Sequence, residues 1–154
     1  MSAISPVSFY SYFLDAATAI IGSLLIYSGV LGTFIDPLRC KCATTGFFHP
    51  PQIIVNWSDL VAKFFGLPTA TSENVVLFPS ATGRNLGAGI FVWILTLLGE
   101  RKALGIFLLC WTWAGIADTK ILYEHPHGQS QGMHIRNIFI LLVLGPLLIQ
   151  SATP

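Results

Sequence analysis

Arg84, Asp118 and His134 carry the most chemical meaning in this chain of 154 residues. Each stands about one turn inside a different apolar stretch. All three stand toward the same end of those stretches. Ionisable groups at that depth are expensive in lipid, so they turn to a pocket, a partner or a pathway. A carboxylate, a guanidinium and an imidazole can run acid–base chemistry without a cofactor. Asp118 follows an apolar run and needs a cation nearby, for which Arg84 is the candidate. A purely structural Asp–Arg bridge that fixes helix register accounts for the same pair equally well. Histidine exchanges protons near neutral pH, and the plainer reading of His134 is a cap at a helix start.

Other residues fall into place around these. Asp36, at the end of the first apolar stretch, is a second candidate acid. Trp111, Trp113 and Phe91 are candidate walls for an apolar substrate, and Asn85 and Asn137 are candidate polar contacts. Asp15 lies toward the opposite end and reads as a buried hydrogen-bonding or interface group. Cys40-Lys41-Cys42 and His125-Pro126-His127 hold ligand-type atoms, but neither spacing matches a zinc pattern. Cys40 and Cys42 suit palmitate beside a membrane better. A phosphate-cradling glycine loop, a nucleophile elbow and a C-x-x-C pair are all missing from the sequence. No metal and no cofactor is therefore expected.

The elements that must carry these residues follow from composition. Hydrophobic residues make up 53% and charged residues 10%, with a mean hydropathy of +0.69. Soluble domains carry about 25% charged residues, so this chain is suited to lipid rather than water. A net charge of +1 with no basic run excludes a nucleic-acid partner. The opening ten residues lack Lys and Arg, and no small-residue cleavage pattern follows, so a removable signal peptide is not expected.

Four spans are expected, at about 10–34, 80–98, 103–123 and 133–150, each near the ~20 residues that cross a bilayer. They form one all-α four-helix transmembrane domain over 1–154. Both termini then lie on one side, side A, while the connection 37–79 and the polar loop 124–132 share side B. Lys and Arg favour side B, which the positive-inside rule makes cytoplasmic. Within the connection, apolar residues at 53, 54, 57, 60, 61, 64 and 65 predict an amphipathic helix lying at the interface. It either lids the polar site or only fills the connection. In span 1, Asp15, Thr18, Gly22, Ile26, Gly29, Thr33 and Asp36 form a stripe of small and polar residues suited to close helix packing.

The order Arg84-x-x-Gly87, charged turn Glu100-Arg101-Lys102-Ala103-Leu104-Gly105, Asp118 late in span 3 and His134 opening span 4 resembles a group of small membrane proteins. They are four-helix proteins of unassigned function, widespread in fungi and similar in layout to DoxX-like proteins. The resemblance covers mainly residues 80–150, and the segment 37–79 adds nothing to it. Members often sit among genes for polyketide or terpenoid tailoring, and some are thought to open epoxides or close rings. The resemblance thus implies an endomembrane enzyme of secondary metabolism, in the endoplasmic reticulum or a related membrane. Its substrate would be lipophilic, and its reaction epoxide opening, cyclisation or isomerisation. Asp118 held by Arg84 would act as base, and His134 or protonated Asp36 as acid. A non-enzymatic scaffold for biosynthetic enzymes and a small transporter or lipid-binding subunit are the alternatives.

Overall fold

The computed structural model describes residues 6–34, 62–63, 65–67, 78–125 and 127–152. Its long elements are four helices: α1 (Pro6–Phe34), α2 (Phe78–Leu97), α3 (Arg101–Glu124) and α4 (Gln131–Ser151). No strand occurs among the described residues. Among the described residues, three helical segments are long and apolar enough to cross a membrane: Phe9–Phe34, Arg101–Glu124 and Gln131–Ser151. Helix α2 opens on the polar stretch Ser80-Ala81-Thr82-Gly83-Arg84-Asn85.

The helices associate as two tight antiparallel pairs, α1 with α2 and α3 with α4, and the pairs touch each other sparingly. A row of polar contacts joins the first pair along its whole length. Thr18 meets Thr96 at 3.2 Å, Trp93 donates to Ser23 at 3.2 Å, Asn85 donates to Ser28 at 3.4 Å, and Thr33 meets Thr82 at 3.1 Å. Lipid gives no hydrophobic reward for joining helices, so such bonds and close backbone packing supply the attraction. The span 1 stripe is the surface used: a side chain at Gly22 would strike Trp93, and one at Gly29 would strike the backbone of Leu86.

The second pair closes through glycine against glycine. A Cβ on Gly105 would stand 2.5 Å from the carbonyl oxygen of Gly145, and one on Gly145 would stand 3.0 Å from that of Gly105. Farther along, Gly115 lies under Ile138. The two pairs meet in an apolar core of Leu14, Val92, Leu95, Leu104, Leu108, Leu141, Leu144 and Leu148. All of these residues belong to the half of the bundle nearer side A. Among the described residues nothing comparable fills the half nearer side B, and a cavity lies there.

Two turns depend on glycine. Helix α2 ends in a Schellman motif in which Glu100 N–H bonds Leu95 C=O at 3.0 Å and Gly99 N–H bonds Thr96 C=O at 3.1 Å. Gly99 has φ +72°, a left-handed conformation that side chains disfavour. The same motif closes the helical turn at Ala62-Lys63: Leu67 N–H bonds Ala62 C=O and Gly66 N–H bonds Lys63 C=O, each at 3.0 Å, with Gly66 at φ +100°. This is the expected end of the amphipathic helix in the connection. The stretch 53–61 of that expected helix, with Asp36, Cys40 and Cys42, lies outside the described residues.

Gly105→Val tests the glycine contact. Its branched side chain has no room beside Gly145, so α3 and α4 must separate or shift. The expected loss is about 1–3 kcal/mol, the usual cost of overpacking. It should appear as a lower unfolding midpoint in detergent. Val at exposed Gly87, where a Cβ meets nothing within 4 Å, should cost much less.

Candidate functional site

A half-open cavity of about 130 Å³ lies at the side B end. Helix α2 contributes Ala81, Thr82, Arg84 and Asn85; α3 contributes Asp118, Ile121 and Leu122; α4 contributes His134; and the connection contributes Phe65 and Leu67. Arg84, Asp118 and His134 thus come from three helices to one hollow, as their shared depth in the sequence suggests.

The ion pair crosses the seam between the two helix pairs. Arg84 Nη2 donates to both carboxylate oxygens of Asp118, at 3.1 and 3.3 Å. The guanidinium also lies over the Trp111 ring, 5.6 Å from its centroid. A cation over an indole face is attracted by the ring's negative π-surface. Arg84 therefore has two anchors, one charged and one aromatic, both on α3. The two side chains remain 39% and 35% exposed. An exposed pair of this kind stabilises by about 1 kcal/mol or less, and its atoms are open to an incoming molecule.

His134 is the opposite case. It is 8% exposed, and its Nε2 is buried with no hydrogen-bond partner. Leaving a buried polar atom unpaired costs about 1–3 kcal/mol. The Phe65 ring lies beside the imidazole, with centroids 6.5 Å apart. Phe65 is held there by the turn that Gly66 closes. Gly66 C=O accepts from Gln129 N–H at 2.8 Å, tying the connection to the loop before α4. Gln131 Nε2 adds bonds to Gly128 C=O at 2.8 Å and Leu122 C=O at 3.3 Å. The described turn of the connection is thereby fixed to the loop before α4, with Phe65 and Leu67 in the cavity wall.

The remaining sequence candidates divide. Asn85 lines the cavity while its amide reaches Ser28. Trp111 backs the site through Arg84 and stacks on Phe107, with centroids 5.7 Å apart at 27°. Phe91 meets Phe107 edge-on at 4.9 Å, so Phe91, Phe107 and Trp111 form an aromatic row leading to the guanidinium. Trp113 is turned outward and is 71% exposed. Two residues along a helix rotate a side chain by about 200°, so Trp111 and Trp113 cannot share a wall. Asn137 is also exposed and does not line the cavity. It sits at the edge of the His134-Ile138-Leu141-Gly145 face, rotated toward the outside. Sequence reasoning missed Phe107 and the lining by Leu67 and Ile121, because apolar residues carry no mark of their own, whereas helical period does put Leu122 on the face of Asp118. It did mark Phe65 as part of an amphipathic face.

Asp15 has a partner that sequence reasoning did not assign. Arg101 donates from Nη2 to Asp15 Oδ2 at 2.8 Å, from Nε to Oδ1 at 3.2 Å, and from Nη1 to Ser11 at 2.8 Å. This second arginine–carboxylate pair ties α1 to α3 at the side A end. It touches no residue of the cavity.

Residues 56–148 match the model of a family described as a domain of unknown function (DUF4267). The match begins within the connection, so it takes in residues 56–79 of it, with Phe65 and Leu67, as well as the segment from residue 80 onward. No curated protein and no solved structure matches the chain. With well over half of its residues matched, the chain belongs to the DUF4267 family.

Proposed function

We propose that this protein is a membrane-embedded enzyme performing cofactor-independent acid–base chemistry on a lipophilic small molecule. The observation that carries the reading is the meeting of Asp118, held by Arg84, with the unpartnered imidazole of His134 around one cavity. All four helices cross the bilayer in this reading, and the connection lies as an amphipathic helix at the interface. A greasy substrate reaches the cavity from the lipid beside Phe91, Phe107 and Trp111 and presents its polar end to the ion pair.

Epoxide opening illustrates the chemistry. Asp118 accepts the proton of a water or of an internal hydroxyl. That oxygen bonds to an epoxide carbon as the ring C–O bond breaks. His134 delivers a proton to the departing oxygen, and proton exchange between the two side chains and solvent resets the site. An internal hydroxyl gives a cyclic ether and water gives a diol. The same groups suit double-bond isomerisation. A polyketide or terpenoid substrate, fungal secondary metabolism and an endoplasmic-reticulum or other endomembrane location complete the reading. They rest on the sequence resemblance.

One observation favours a second reading. Asp15–Arg101 braces the opposite end of the same seam and is not in the lining of this cavity, so Arg84–Asp118 is equally suited to be a brace in a scaffold protein. Exchanging the charges separates the two. Arg84→Asp with Asp118→Arg restores a structural bridge but moves the carboxylate to another helix. In the enzymatic reading the double variant accumulates normally, and product formation in a reconstituted pathway falls about 100-fold or more, the usual worth of a general base. Activity near the original level at normal protein abundance would leave only the brace.

Asp118→Asn and His134→Gln should each lower turnover by a similar factor, about 100-fold or more, with helix content unchanged by circular dichroism. Asp15→Asn should behave in the reverse way. It weakens the side A brace by about 1 kcal/mol, lowers the unfolding midpoint slightly and leaves turnover per folded molecule unchanged. Comparing the metabolites made with and without this chain beside its neighbouring genes would identify the reaction.

A further inference from the structure

We infer that the cavity at His134 receives a neutral, hydroxyl-bearing ring. This rests on the proposed lipophilic substrate and specifies its polar end. Size comes first. At about 130 Å³ the hollow is close to the ~150 Å³ apolar cavity known to hold benzene, so it takes a single ring, and the rest of a larger substrate stays in the lipid. The walls suit a ring: Phe65, Leu67, Ile121 and Leu122 are apolar and come from two separate segments.

Charge comes second. The Arg84 guanidinium already faces both oxygens of Asp118. An incoming carboxylate or phosphate would set a second negative charge beside Asp118, and an ammonium would meet Arg84. Like charges at such range disfavour each other, so a neutral group is selected. Hydrogen bonding comes third. Nε2 of His134 has no partner, and the imidazole forms part of the cavity wall. Nε2 is buried in this state, and pairing with an incoming group requires the ring to turn about its soft terminal torsion. A neutral imidazole nitrogen donates in one tautomer and accepts in the other. A hydroxyl does both and pairs with Nε2 in either state, whereas a ketone or ether oxygen pairs in only one.

The test uses the whole protein in detergent micelles and three one-ring probes followed by fluorine NMR: 4-fluorophenol, 4-fluorotoluene and 4-fluorobenzoate. Protein-free micelles give the partition background. We expect 4-fluorophenol to saturate and to bind about tenfold more tightly than 4-fluorotoluene, the effect of one hydrogen bond, and 4-fluorobenzoate not to saturate. His134→Phe should erase the phenol preference. Should that variant fail to fold, Ala81→Leu fills the cavity from another wall and should abolish saturable binding. Asp118→Asn leaves Arg84 without its counter-ion and should admit 4-fluorobenzoate. Equal binding of phenol and toluene probes, or benzoate binding best to the unaltered protein, overturns the inference.

These outcomes separate from catalysis. A phenol preference that His134→Phe erases, found together with full turnover in Asp118→Asn, sustains the ligand class and overturns the enzyme. Inactive Asp118→Asn without any phenol preference does the reverse.

Discussion

The seam between the two helix pairs governs this molecule. Within each pair the backbones approach closely, through a row of hydroxyl and amide contacts in α1–α2 and through glycine on glycine in α3–α4. Between the pairs there is little such contact. Among the described residues, the gap is spanned by an apolar core at one end, an arginine–carboxylate pair at each end, and the contacts of Phe91 with Phe107 and of Arg84 with Trp111. Because apolar packing in lipid has no hydrophobic drive behind it, the seam closes only where side chains fit. It closes over the leucines and stays hollow beyond them.

The hollow is therefore a product of uneven filling. Near side A, Leu14, Leu95, Leu104 and Leu148 interlock. Near side B the corresponding places belong to Thr82, Asn85, Asp118 and His134, which are too short or too polar to interlock. A polar cluster in such a place costs stability, most plainly at the unpaired Nε2 of His134. Costs of this kind are characteristic of sites that meet a ligand. The connection adds Phe65 and Leu67 to the wall beside the cluster. Gly66 turns the chain so that Phe65 sits beside the imidazole, and the bond from Gln129 fixes the turn to the loop before α4.

The two ion pairs look alike in composition and differ in setting. Arg101 is fully engaged, with Asp15 on both oxygens and Ser11 beside it. Arg84 gives one nitrogen to Asp118 and rests its flat face on Trp111. The first arrangement braces two helices. The second also joins two helices, α2 and α3, with its carboxylate in the cavity wall.

Much of this was legible in the chain. Low charge and long apolar runs dictate helices, and the breakers Gly99 and Gly128 mark where they turn. The depth of Arg84, Asp118 and His134 follows from counting residues, because an antiparallel helical chain brings equal depths together. The stripe in span 1 follows from helical period, since small residues in lipid mean close approach. What counting could not give was rotation and partnership. Trp113 and Asn137 turn away because their helices are set by the glycine contacts of α3 with α4. Arg101 finds Asp15 across 86 positions of sequence, and Phe65 arrives from a connection whose length alone says nothing about where it folds back. Local composition determined what each segment is; only the packing of backbone on backbone decided which side chains look inward at the same place.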